Sequence, residues 1–359
     1  MNHTEQYLHF LRYCVAEETL ADEMWLDMDW EGLYDFSVKQ AITGVVFSGI
    51  EQLGKEAGIP KKLLIRWYVE SEQIRRRNSL LDQVAVEVYQ KFAEDGFRSC
   101  ILKGQGNARM NKDPGLRTPG DIDIWIEGSR KEILEYVRKS SPKAHFQYHH
   151  VDYPPVRGVK IEVHFIPSFF SNPIRNKRMQ RFFKQHADEQ FSHFCKLSDG
   201  GFVSVPTDSF NCVYQLAHIM RHLLDEGIGL RQLLDYYYLL NNGMTEEDRL
   251  HAVESIQRLG MEKFAGAVMY VLQKLFGLEK NLMLAFPDDR LGRVVLDEIL
   301  HTGNFGQHED RFEQHSNTGR GFALTWMQRM PRLVRYFPAE TLWRPIFLVW
   351  HFFWKMRHK

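Results

Sequence analysis

TPGDIDIWIE, residues 118–127, alternates in a way that decides how the middle of this chain folds. Ile122, Ile124 and Ile126 stand two apart, and Asp121 and Asp123 hold intervening places. On a strand, residues i and i+2 point to the same face, so the isoleucines share one side and the aspartates the other. A rise of about 3.3 Å per residue puts the two aspartate Cα atoms about 7 Å apart. Like charges that close repel, and each raises the other's pKa unless a cation intervenes. Two readings of the pair are open. Both aspartates face water on an exposed strand, or together they hold divalent cations, for which hard oxygen ligands favour magnesium or manganese.

Outward from this stretch the two-residue period continues. FRSCILKG (97–104), HFQYHHVDY (145–153), VKIEVHFIP (159–167) and GFVSVP (201–206) each read as a short strand. SRKEILEYVRKS (129–140) reads as a helix capped by Ser129, and NKRMQRFFKQHADEQF (176–191) as another. On either side the period lengthens to that of helices. Residues 4–95 are predicted helical, with Gly96 as the stop. After a cap at Thr207 or Asp208, helices follow through 227, then over 229–241, 245–276 and 288–301. A Gly- and His-rich connection (301–312) leads to a tail of arginines, lysines and aromatics, in which Pro331, Pro338 and Pro345 are expected to break the chain into short helices. The pattern predicts an α+β protein with a mixed sheet. Its expected units are an N-terminal helical region (1–95), an α/β core (96–206), a helical domain (207–302) and a C-terminal helical tail (303–359).

Lysine plus arginine equals aspartate plus glutamate, 46 each, so no global field draws nucleic acid to the chain. Cys14, Cys100, Cys195 and Cys212 lack CxxC spacing and read as buried free thiols of a reducing compartment. The start, MNHTEQYLHFLRYC, lacks a basic segment followed by a long apolar run, and no stretch reaches the roughly 20 apolar residues of a membrane span. A cytoplasmic location is expected. The tail could lie on an anionic membrane, but packing against the rest of the protein is favoured over peripheral membrane contact.

Two features, one on each side of the aspartates, belong with them. SCILKG ends in Gly104-Gln105-Gly106, a turn whose missing side chains let backbone N–H groups approach a phosphate. Downstream, VKIEVHF places Glu162 among strand-forming apolar neighbours, where a lone carboxylate is costly. ILKGQGNARMNKDPGLRTPGDIDIWI (101–126) resembles the nucleotidyltransferase superfamily that includes DNA polymerase β, and within it a bacterial group of uncharacterised nucleotidyltransferases with an LKG…R…DxD pattern. The likeness covers roughly residues 97–240.

That resemblance implies a nucleotidyltransferase-like mixed sheet with Asp121, Asp123 and Glu162 as the catalytic carboxylates holding two Mg²⁺ or Mn²⁺ ions. It also implies a nucleoside triphosphate as co-substrate, met at Lys103, Gly104, Gln105, Gly106 and Arg117. The implied reaction is transfer of a nucleoside monophosphate to an acceptor hydroxyl on a small molecule, sugar or protein, with pyrophosphate leaving. The rival expectation is a non-catalytic nucleotide-binding or regulatory protein on the same fold. The wider superfamily places Gly-Ser or Gly-Gly at the turn where this chain has Gly104-Gln105. Either Gln105 or the Gly106 backbone substitutes there, or triphosphate is held more weakly.

His218 and His222, one turn apart, are expected to line the cleft and meet nucleotide or acceptor. Zinc held by His218, His222 and Asp225 is the less favoured reading. His164 faces the same side as Glu162. Arg231 and Asp235 read as a helix-surface ion pair. For Lys103 an outward, solvated side chain is slightly favoured over phosphate contact. For Arg117 phosphate contact and plain surface charge stand even.

Overall fold

A computed structural model describes residues 3–16, 27–53, 57–197, 201–309, 311 and 319–358. The chain opens with helices α1 (His3–Ala16), α2 (Trp30–Lys39), α3 (Thr43–Leu53) and α4 (Lys61–Glu94). Gly96, at φ +88°, turns the chain out of the last of these, as its place after the apolar periodicity predicts. Then come β1 (Ser99–Ile101), the one-turn α5 (Gln105–Ala108), β2 (Ile122–Ile126), α6 (Arg130–Ser140), β3 (His150–Val156) and β4 (Val159–His164). Ser129 caps α6 in a capping box with Glu132.

The four strands make one mixed sheet in the order β1-β2-β4-β3. β2 runs antiparallel to β1 and parallel to β4, and β4 runs antiparallel to β3. The third strand was expected from residue 145, but it begins at His150, and Phe146 makes only an isolated bridge to Val151. It continues instead through Pro154 and Pro155, with a register shift between Tyr153 and Val156. Prolines fit there because β3 is an edge strand with no neighbour to receive its N–H groups on one side.

After the sheet come α7 (Pro173–Ser192), β5 (Phe194–Lys196) and β6 (Phe202–Ser204). The strand expected at 201–206 pairs with β5 in a separate two-stranded ribbon and does not join the main sheet. The remainder is helical: α8 (Asp208–Asp225), α9 (Leu230–Asn241), α10 (Glu246–Arg258), α11 (Glu262–Phe276), α12 (Asp289–Thr302), α13 (Gly319–Tyr336), α14 (Pro338–Thr341) and α15 (Trp343–His358). Pro331 lies inside α13 without ending it, contrary to expectation, while Pro338 occupies the tolerated first turn of α14. The connection at 301–312 falls partly outside the described residues.

Both faces of β2 are buried. The isoleucine face packs with Ile161, Val163, Leu81, Val84 and Ile133 in a core between the sheet, α4 and α6. On the opposite face Trp125 stacks on Phe210 and meets Phe191 at 4.6 Å. A second, larger core joins residues far apart in sequence, among them Phe10, Val46, Leu216, Leu272 and Leu333. Cys14, Cys100 and Cys212 are buried thiols, as expected, whereas Cys195 is only half-buried. In α15, Phe347 and Trp354 pack on Tyr148, while Ile346, Val349, Phe352, Phe353 and Met356 stay exposed. Intramolecular packing therefore accounts for one face of the tail only. No described helix is long and apolar enough to cross a membrane.

Glu298 of α12, 2 % exposed, ties the C-terminal segment down. It accepts from Arg311 at 2.9 and 3.0 Å and from Arg329 at 3.1 Å, and Arg329 also donates to the Leu223 carbonyl at 2.8 Å. Burial pushes its carboxyl up, but Arg311, Arg329 and Arg332 outweigh burial and hold it below the usual glutamate range. The charged form therefore stabilises the fold above the unfolded pKa, near 4.5, and that contribution is lost as pH falls through the lowered folded value. Urea unfolding of Glu298→Gln at pH 7 and pH 3 is expected to show a smaller acid-induced loss than the parent. Equal losses in the two proteins would rule this network out as an acid-sensitive element.

Candidate active site

The β1–α5 turn supplies the first wall of the site. Gly104 sits at φ +64°, where a side chain is strained, and a Cβ there would meet the Asp121 carbonyl oxygen at 3.4 Å. Gly106 packs under Val205, where a Cβ would stand 3.1 Å from Cγ1. The Gln105 side chain turns away from the cleft. It is 3 % exposed and donates to Asp82 and to the Asn78 carbonyl of α4. Gln105 therefore does not stand in for a phosphate-binding serine through its side chain, because α4 packs behind the turn and supplies the acceptors it needs.

The parallel pairing of β2 with β4 sets Asp123 directly opposite Glu162. Lys160, Glu162 and His164 alternate along β4 and so share one face. Lys160 contacts Glu162 and reaches Asp121 at 3.8 Å, while His164 Nε2 lies 2.9 Å from Asp123 Oδ1 and 3.9 Å from Glu162. His150, opposite His164 in register, brings Nδ1 to 3.3 Å from Glu162. From the turn, Lys103 Nζ lies 3.1 Å from Asp123 and 3.4 Å from His218 Nε2. The solvated reading of Lys103 is thus overturned: burial of Asp123 draws the ammonium inward.

The electrostatics follow from this cage. Burial pushes Asp123 up, but Lys103 and His164 overcome it and hold the carboxyl well below the usual range. Asp121, nearer the mouth, is raised by burial and by the Asp123 charge. Burial and Asp123 push Glu162 up, yet His150, His164 and Lys160 leave it lowered. Burial also drops His150 to about 3, and it takes His149 and His218 well below the ordinary histidine value with help from Arg221 and Lys103. These three imidazoles are neutral at pH 7.

The cleft above the carboxylates is lined by Lys103, Gly104, Asn107, Arg117, Asp121, Asp123, Tyr214, His218, Arg231 and Phe305. Arg117 is neither a surface charge nor a free phosphate ligand. Its Nε and Nη2 donate to the two oxygens of Asp235, both at 2.7 Å, and both residues are buried. This overturns the expected surface pair of Arg231 with Asp235. Arg231 is buried and donates to the carbonyls of Thr118 and Pro119 at 3.1 and 3.3 Å, holding the loop that leads into β2.

The zinc set is not assembled, because each member has another partner. His218 faces Lys103, His222 donates to Glu226, and Asp225 pairs with Arg344 at 2.7 Å. A guanidinium cannot accept, so His222 Nε2 receives the Arg221 proton at 3.0 Å and Nδ1 carries the hydrogen. His150 and Lys160 are the site-facing residues that spacing alone passed over, although the alternation of Lys160 with Glu162 and His164 carried the signal.

A model of one protein family matches residues 27–277, which is most of the chain, and its description is "Uncharacterised nucleotidyltransferase". The chain belongs to this nucleotidyltransferase family. The family resemblance expected from ILKGQG and DIDIWI therefore holds, as does the mixed α+β class. Among solved structures, an antigenic nucleotidyltransferase-like protein from Paracoccidioides brasiliensis resembles 50% of this chain and 88% of its own, at 13% identity and a TM-score of 0.30. No curated protein matches the chain.

Proposed function

We propose that this nucleotidyltransferase-family protein transfers a nucleoside monophosphate from a nucleoside triphosphate to an acceptor hydroxyl, releasing pyrophosphate. The observation that carries the reading is the pairing of Asp123 with Glu162 across β2 and β4, beside Asp121 and the Gly104 turn. Three carboxylates in one cage suit divalent cations. The positions around them are filled by ammonium groups, Lys103 on Asp123 and Lys160 between Asp121 and Glu162, which marks where positive charge is demanded. Asp121, Asp123 and Glu162 would hold Mg²⁺ or Mn²⁺, which when bound would activate the acceptor hydroxyl and neutralise charge on the leaving phosphates.

The chain's own groups do the rest. Backbone N–H groups of the Gly104–Gly106 turn receive phosphate oxygens, and Lys103 moves its charge from Asp123 to the triphosphate. Neutral His218 offers a hydrogen bond on the α8 side without adding charge, whereas His222, expected in the same role, lies outside this cleft with both ring nitrogens taken by Arg221 and Glu226. Arg117 keeps its fork on Asp235 and contributes field from the wall. Glu162, lowered and therefore ionised, can take the acceptor's proton. The acceptor is a small molecule, sugar or protein group, since a chain of zero net charge has no global field that draws nucleic acid.

The deciding measurement is binding and turnover of each labelled nucleoside triphosphate with Mg²⁺ or Mn²⁺, with cell extract as acceptor source. Metal-dependent binding with pyrophosphate release supports transfer. Metal-dependent binding without release in any extract would point to the regulatory protein, and no binding at all would end both readings.

A further inference from the structure

The carboxylate centre carries two imidazoles that an all-oxygen magnesium site does not call for. His150 and His164 face each other across β3 and β4, with Glu162 between them. One ligand atom from each of the three lies within 4.8 Å of the others. The pairs that form this triangle with Glu162 measure 3.3 Å from His150 Nδ1 and 3.9 Å from His164 Nε2. Ligands about 2.1 Å from a tetrahedral ion lie about 3.4 Å apart, so movements below an ångström would close the set.

The surroundings fix the orientation of each ring and the place of its hydrogen. His164 is 2 % exposed, and its Nδ1 faces the Ile166 carbonyl at 3.4 Å, leaving Nε2 aimed at Asp123 and Glu162. His150 Nδ1 lies 3.2 Å from His149 Nε2, which already receives the Arg221 proton, so without an ion Nδ1 carries the hydrogen and shares it with Glu162. Binding a cation at Nδ1 moves that hydrogen to Nε2, 3.9 Å from Asp152. In His164 one ring nitrogen faces a carbonyl while the other points at the common centre, the usual support of a metal-bound histidine. Magnesium is a poor match, because it prefers oxygen and keeps its waters, whereas imidazole suits manganese, cobalt and zinc increasingly well.

We propose that His150, Glu162 and His164 form a mixed nitrogen–oxygen site that binds a divalent transition cation in preference to magnesium. The inference rests on the nucleotidyl-transfer reading for the place of the centre, but metal binding by these side chains needs neither nucleotide nor turnover.

The test uses the metal-stripped full-length protein and Mn²⁺, followed by electron paramagnetic resonance, with pulsed detection of nitrogen coupled directly to the ion. The expected result is Mn²⁺ binding with an imidazole nitrogen signal, displaced by Mg²⁺ only at about a hundredfold excess or more. His150→Gln and His164→Gln, each checked for folding by circular dichroism, are expected to weaken Mn²⁺ at least tenfold. Mn²⁺ bound without nitrogen coupling, displaced by equimolar Mg²⁺, or absent altogether overturns the proposal. Folded variants that bind like the parent do so too. If the His164 variant does not fold, the nitrogen signal of the parent decides. Nucleotide binding supported by Mg²⁺ without nitrogen-bound Mn²⁺ would sink this inference alone, and nitrogen-bound Mn²⁺ without nucleotide binding would sink only the transfer reading.

Discussion

Replacing Asp235 with alanine is expected to cost about 3–5 kcal/mol of folding stability, the usual loss when one partner of a buried ion pair is removed. Arg117 is 6 % exposed, and its two fork nitrogens donate to Asp235. Without that carboxylate a guanidinium stays buried with two unpaired donors, and it cannot shed its proton to escape. Arg231, close enough to feel the Arg117 charge, adds repulsion. Burial and the Arg117 charge already lower Arg231 to about 10, and Asp235 is among the groups that offset this. Replacing both partners, as Arg117→Met with Asp235→Leu, should cost markedly less than Asp235→Ala because no charge is stranded. Urea unfolding of the three proteins is the measurement. An Asp235→Ala protein within 1 kcal/mol of the parent would show that the pair contributes little.

Asp123→Asn is expected to reduce metal-dependent turnover of triphosphate about a thousandfold. On the proposed reading Asp123 would be a ligand of the metal centre, whose loss removes several kcal/mol of transition-state charge stabilisation, and each 1.4 kcal/mol is about tenfold in rate. The effect should exceed that of Asp121→Asn. Asp123 is 1 % exposed, lies opposite Glu162 and holds both Lys103 and His164, whereas Asp121 is a third exposed and its ion pair with Lys160 is long, at 3.8 Å. Steady-state pyrophosphate release, with unfolding curves to confirm intact structure, reads the difference. A folded Asp123→Asn protein that turns over as the parent does would remove Asp123 from the catalytic reading.

Short-range features were readable from the residues alone. The isoleucine alternation of β2, the Ser129 cap and the turn at Gly104 depend on near neighbours in the chain, so spacing suffices to find them. What spacing could not reach is pairing across the fold. Arg117 and Asp235 are 118 residues apart, and the pattern around Asp235 offered the adjacent Arg231 as the simpler partner. Gln105 looked available to phosphate until α4 placed Asp82 beneath it. β5 was hidden because three residues, two of them exposed, follow a helix without interruption. His150 lies on an edge strand whose two prolines weaken the usual strand signature, so its position opposite His164 became visible only in the sheet register.

The larger core joins Phe10 and Val46 near the start of the chain to Leu272 and Leu333 near its end. During synthesis, α1 leaves the ribosome long before α11 exists, and at 5–20 residues per second the wait is on the order of ten seconds or more. The sheet core, drawn from Leu81 to Val205 with only the late Trp354 packed against it, has its own partners well before then. Long-range closure is slow and leaves apolar surface uncovered meanwhile. The first helices pack on one another early, but the face of α1 that meets α11 stays uncovered until α11 is made, and the order of translation sets a period in which that apolar face is open to chaperones.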